Sequence, residues 1–149
     1  MLDKCEAFIM AQWQKRSFVI AVVAVQMFFG AWYLIHGLNY FVEFVQQPPG
    51  SASLSRQLIS ALIATGLFDL VKIAEVVFGV LLLCNRFVPL SILGSLPINA
   101  AIIWINMVLK ADLDGFVIGG LIVVIHGLLL AAYFPFYRSI FAYRTMLWR

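Results

Sequence analysis

From Ser17 to Phe41 the chain runs for 25 residues without one charged side chain. A helix crosses the hydrocarbon core of a bilayer with about 20 mainly apolar residues. This run is therefore long enough to span. Two more uncharged runs follow, at 87–109 and 116–136. A fourth apolar stretch lies within Leu58–Leu83, interrupted by Asp69, Lys72 and Glu75. Spans at about 17–41, 60–83, 87–109 and 116–136 take up most of the 149 residues. Apolar and polar residues do not alternate with period two, which argues against a transmembrane barrel. The expected fold is all-α: a single integral membrane domain, folded as a four-helix bundle.

Composition excludes several classes. Hydrophobic residues make up 64% and charged ones 11%, against about 45–50% and 25% in soluble domains. A net charge of +3, scattered along the chain, makes no nucleic-acid surface. Cys5 and Cys84 form neither a CxxC pair nor a zinc spacing. The first apolar run exceeds the roughly 7–15 residues of a signal-peptide core and reads as an uncleaved span.

Lys and Arg set the expected orientation, because they concentrate in cytoplasmic loops. Lys4, Lys15, Arg16, Arg86, Arg138, Arg144 and Arg149 fall on one side, against Arg56 and Lys110 on the other. Both termini are thus expected in the cytoplasm, with the chain in the inner (plasma) membrane. Both cysteines then face a reducing compartment. The ends read as interfacial segments. Phe8 and Trp13 precede Lys15-Arg16, and Tyr137, Tyr143 and Trp148 alternate with Arg138, Arg144 and Arg149.

The loops carry local signals. Gln46, Gln47, Pro48, Pro49 and Gly50 mark a turn-rich connection, after which Ser53 or Ser55 could cap a helix. Asn85-Arg86 makes a tight turn before Pro89, and Gly115 starts the last helix.

Each span carries one polar or small stripe at helical spacing. The first has His36, Asn39, Tyr40 and Glu43; the second has Asp69, Lys72, Glu75 and Gly79. The third has Ser95, Asn99 and Asn106; the fourth has Gly115, Gly119, His126 and Tyr133. Polar stripes facing lipid are penalised, so the four should converge on a pocket in the outer half.

Asp69, Lys72, Glu75 and His126 are the proton-handling candidates. A central Asp or Lys costs about 2.5–3.5 kcal/mol to insert, so these charges need partners. Lys72 can reach either carboxylate, each being three residues away. The competing reading is an ion-pair network that only fixes packing. His36, Asn39, Tyr40, Glu43, Asn99 and Asn106 are the ligand-binding candidates. His36 reads equally as a water-facing histidine. Asn99 and Asn106 read most often as interhelical hydrogen-bonding groups, and Pro97 as a kink in the third span. Gly115-xxx-Gly119 reads as close packing. Trp32, Tyr33 and Trp104 read as aromatic core. Two histidines without a close motif give no metal site, and haem is disfavoured because His36 and His126 sit at different depths.

The run Gly66-Leu-Phe-Asp69-Leu-Val-Lys72-Ile-Ala-Glu75-Val-Val-Phe-Gly79, then Asn85-Arg86-Phe-Val-Pro89, then Leu96-Pro97-Ile98, resembles the DoxX-like family. His36-Gly37-Leu-Asn39 resembles its first span. The resemblance covers about His36 to Asn106. It implies a four-helix membrane protein near the quinone pool, with a quinone as the leading small-molecule partner. The family takes its name from a subunit of a thiosulfate:quinone oxidoreductase. Asp69, Lys72 and Glu75 are the residues it carries over. Beyond membrane lipids, protein subunits or further copies of the chain are expected partners. A non-catalytic assembly subunit and an oligomeric small-solute transporter are the alternatives.

Overall fold

In a soluble domain large apolar side chains go inside and polar ones outside. Here many polar side chains lie inside beside an apolar core, and large apolar ones cover the outside. Gln26, Ser91, Ser95, Asn99, Glu75 and His126 are buried, while Leu70, Ile73, Val77, Val117, Val124 and Leu128 are exposed. The computed structural model describes residues 2–13, 15–44 and 53–137. The turn-rich stretch at Gln46–Gly50 and the aromatic–basic segment beyond Tyr137 lie outside the described residues, as does the Cys5 side chain.

Among the described residues all regular structure is helical. The order is α1 (Leu2–Trp13), α2 (Arg16–Val42), α3 (Ser53–Ala64), α4 (Leu67–Leu83), α5 (Val88–Gly94) and α6 (Leu96–Trp104). A π-helical run (Ile105–Lys110), α7 (Leu113–Ala132) and the short α8 (Phe134–Tyr137) follow. Three helices are long and apolar enough to cross a membrane: α2, the continuous stretch Val88–Lys110, and α7.

The second expected span is not one helix. It breaks at Thr65-Gly66. Thr65 Oγ1 donates to the Ala61 or Leu62 carbonyl, each 3.0 Å away, and closes α3. Gly66 then takes a φ of +72°, which glycine alone adopts without strain. The remaining α4 has 17 residues, about 25 Å at 1.5 Å per residue. Ser55 is not a cap, since α3 starts at Ser53 and encloses it. The third span is interrupted at Ser95, two residues before Pro97, where α5 gives way to α6.

The tight turn before Pro89 closes α4 from both sides. The Asn85 N–H reaches the Leu82 carbonyl and the Arg86 N–H reaches that of Leu81, with Asn85 at a φ of 52°. This double closure satisfies two end carbonyls of the helix. Pro89 then sits in the first turn of α5, where its missing N–H costs nothing.

Among the described residues the most extensive helix contact is α2 with α4, and glycines let the two approach. A Cβ at Gly79 would stand 2.7 Å from the Leu34 nitrogen and 2.9 Å from the Gly30 carbonyl oxygen. A Cβ at Gly37 would meet the Val76 side chain at 2.7 Å. On the other flank Gly115 and Gly119 lie against Asn106 and Met107, so this pair does mediate close packing. α1 docks where α7 ends: Trp13 Nε1 donates to the Ala132 carbonyl at 3.0 Å, and its ring meets Phe18, Tyr133 and Phe136.

The last long helix does not start at Gly115. It starts at Leu113, and Asp112 caps it by accepting the Gly115 N–H at 2.7 Å. That bond holds the Asp112 carboxyl below its ordinary 3.8, with the Lys110 ammonium, 3.3 Å away, adding to it. A carboxyl depressed by folding stabilises the fold above its unfolded value and stops doing so as pH falls through the folded value. The wild type should therefore lose stability below about pH 4, and Asp112→Asn, which keeps an acceptor but does not titrate, should lose less. Unfolding midpoints in detergent between about pH 5 and 2 measure this. Parallel curves for the two proteins would refute it.

Candidate functional site

The polar side chains fall into three groups along the α2 axis. The first lies toward the Val42 end, between α2 and α4. Three-residue spacing on α4 puts Asp69, Lys72 and Glu75 on adjoining positions of one helix wall. Lys72 Nζ sits 2.8 Å from Glu75 Oε2, with the two side chains 14% and 3% exposed. Asp69 takes a different partner: the Tyr40 hydroxyl of α2 donates to its Oδ1 at 2.6 Å. The structure thus resolves the choice open to Lys72. It pairs with Glu75, and Asp69 is held by a residue from the neighbouring helix. The Lys72 ammonium also lies 5.1 Å from the centre of the Phe68 ring, a cation–π contact.

His36 is half-buried and stacks on Trp32, with ring centres 4.5 Å apart. It lies within electrostatic reach of Lys72. Asn39 is buried. Glu43 ends α2 in the left-handed conformation (φ 51°), its N–H on the Asn39 carbonyl, and its side chain is exposed. It caps the helix backbone and does not enter the buried group.

The second group lies mid-helix and joins three elements. The Tyr33 hydroxyl of α2 donates to Asn99 Oδ1 of α6 at 2.6 Å. The Asn99 amide nitrogen meets His126 Nδ1 of α7. Ser95 is within hydrogen-bonding reach of the same tyrosine, and Glu75 is near enough to act on it electrostatically. The Phe29 ring packs against both Tyr33 and His126. Sequence spacing named Asn99 and His126 separately; the structure joins them. It directs Asn106 elsewhere: its amide donates to the Ile102 carbonyl of its own helix at 2.8 Å, where the α-helix passes into the π-helical run.

The third group centres on Gln26, a residue the sequence reading missed. Gln26 is wholly buried and ties three elements. Its Nε2 donates to the Leu82 carbonyl at 2.8 Å and to Asn85 Oδ1 at 3.1 Å. Its Oε1 accepts from the Tyr133 hydroxyl at 2.6 Å. The signal was present: Gln26, Gly30, Tyr33, Gly37 and Tyr40 are spaced 4, 3, 4 and 3 apart, a single helix face. The expected stripe began ten residues too late, at His36.

Chemically, the first two groups provide a carboxylate with an ammonium partner and a buried imidazole bound through one nitrogen. Such groups can exchange protons. Among the described residues no three His, Cys, Asp or Glu side chains gather to hold a metal. Comparison with known protein families, with curated proteins and with solved structures finds no match to this chain.

Proposed function

We propose that the chain is a small four-helix subunit of DoxX-like type in the inner membrane, serving a quinone-linked redox system. In this reading α3 and α4 together form the second crossing, and both termini face the cytoplasm. Lys15, Arg16 and Arg86 are exposed at the end where α1 meets α8, against Arg56 and the half-buried Lys110 at the other. That Lys/Arg bias supports the orientation.

The observation that carries the reading is the Lys72–Glu75 pair, buried inside an assembly whose outside is apolar. Ionisable groups at such a place are costly and mark pathways for ions or protons. Glu75 takes or gives the proton, Lys72 holds it charged between transfers, and Tyr40 fixes Asp69 nearby. The ligand partners are membrane lipid and a quinone; protein subunits or further copies cover the remaining surface.

The test is the small-molecule content of protein purified in mild detergent, read by mass spectrometry. The wild type is expected to carry a quinone near one per chain, and Asp69→Asn with Glu75→Gln to have lost it. Bulk phospholipid alone in both samples would sink the quinone-linked reading.

A second reading has its own support. Lys72 with Glu75, Tyr40 with Asp69, and Tyr33 with Asn99 satisfy one another. Mutual saturation is also what an assembly scaffold needs. On that reading the double variant fails to assemble with partner subunits and no ligand changes.

A further inference from the structure

Asn99 stands between two groups and can serve them in two ways. Its Oδ1 accepts from the Tyr33 hydroxyl at 2.6 Å, so its amide nitrogen faces His126 Nδ1. An amide N–H needs an acceptor, and a ring nitrogen accepts only when it is bare. Nδ1 is therefore bare, and the ring proton sits on Nε2. That nitrogen is fully buried and has no hydrogen-bond partner among the described residues. An unmatched buried donor is costly. Tyr33 thus holds His126 in the tautomer that the surroundings of the ring serve least.

The same heavy atoms support a second setting. The oxygen and nitrogen of a side-chain amide are nearly equal in shape, so a half-turn of the Asn99 amide exchanges them in place. Oδ1 then faces His126 and accepts from Nδ1–H. The amide nitrogen faces Tyr33 and donates to its hydroxyl oxygen, so the hydroxyl proton needs another acceptor. Ser95 is within hydrogen-bonding reach of that hydroxyl. Its own proton is engaged on the Ile92 carbonyl at 2.9 Å, which leaves its oxygen to accept. The ring carries one proton in both settings. In the second, Nε2 is bare and the network leaves no donor unmatched.

We propose that Tyr33, Asn99 and His126 form a reversible relay, in which the Tyr33 hydroxyl, acting through the Asn99 amide, decides which nitrogen of His126 carries the proton. Tyr33 and Asn99 are positioning residues, and His126 is the group they set. The coupling runs through hydrogen bonds. Among the described residues no charged side chain acts on the His126 ring directly. Toward the ring α2 brings Tyr33 and Phe29, and α6 brings Asn99. α5 has no titratable group, while Lys110 and Tyr137 belong to the two ends of α7. Glu75 of α4, paired with Lys72, acts on Tyr33 instead. A change of charge at that pair therefore reaches α7 by way of Tyr33. The inference rests on the proton-handling reading above and adds the path by which the first buried group communicates with the second.

The test is ¹⁵N NMR of the full chain in detergent, labelled at histidine and held at about pH 8, above the ordinary range of an imidazole. The chain has two histidines, so a His36→Gln background leaves the signal of His126 alone. In that background the ring should show Nε2–H with a bare Nδ1. Adding Tyr33→Phe removes one hydroxyl that does not bond the histidine. Asn99 Oδ1 then has no donor on its α2 side and turns to the ring, so the proton should move to Nδ1. The ratio of the two tautomers should change by about tenfold, the worth of one net hydrogen bond. Ser95→Ala removes the second acceptor of Tyr33 and should keep the proton on Nε2. A protein merely loosened by the substitution would expose the ring to water and average the two tautomers. The relay is overturned if Tyr33→Phe gives that average, or if it keeps the tautomer of its parent. A parent with its proton on Nδ1 overturns it as well. None of these outcomes touches the quinone-linked reading, which stands or falls on ligand content.

Discussion

Replacing Gly79 with alanine should destabilise the chain by about 1–3 kcal/mol, the usual cost of overpacking a tight contact. The added methyl meets the Leu34 nitrogen at 2.7 Å and the Gly30 carbonyl oxygen at 2.9 Å. Both are backbone atoms in the middle of α2, so no side chain can swing away. The helices must part instead. Parting them moves Tyr40 away from Asp69, the hydrogen bond that joins the same two helices. Gly79→Leu should cost more and detach α4. Gly127→Ala is the control, because nothing stands within 4 Å of that position. Removing a helix-interior glycine there should be neutral or stabilise by about 0.5–1 kcal/mol. Unfolding by titration with SDS in mixed micelles, followed by helical circular dichroism, compares the three. The steric account fails if Gly79→Ala and Gly127→Ala unfold together.

The same contact shows where the sequence was readable. Long uncharged runs announced α2, the helix Val88–Lys110 and α7, because the length needed to cross hydrocarbon is a coarse requirement and composition meets it visibly. The Asn85-Arg86 turn was readable too, since a short polar pair between two apolar runs, with Pro89 three residues on, marks a turn. The break at Thr65-Gly66 was not. No charge or proline interrupts the apolar pattern there, and the end of α3 depends on a threonine hydroxyl bonding back to its own helix.

At the site, spacing could say which residues share a face of one helix. It could not say which faces meet. Lys72 had two carboxylates at equal spacing, and the choice was made by Tyr40, a residue of another helix. Asn106 occupied a convincing stripe position, yet the passage into the π-helical run turned its amide back to Ile102. Tyr33 looked like aromatic packing because its ring does pack, while its hydroxyl serves Asn99. Gln26 alone was recoverable, from the regular spacing it starts.

The Lys72–Glu75 pair offers the other large effect. Glu75→Ala should cost about 3–5 kcal/mol, because it strands a largely buried ammonium with no counter-ion. Removing both charges together, as Lys72→Met with Glu75→Leu, should be near neutral or stabilising by about 1–4 kcal/mol, since neither desolvation cost then remains. The ordering is the test: the single variant must be less stable than the double in the same SDS titration. If the double variant is as unstable as the single one, the pair does more than neutralise itself. Its reach to the Tyr33 hydroxyl would then be part of what holds α2, α4 and α6 together. The double variant also separates the two functional readings. A scaffold whose charges only cancel keeps its assembly when both are gone. A proton-handling site folds just as well but no longer supports quinone-linked activity, because the group that carries the proton has been removed while the architecture around it stands.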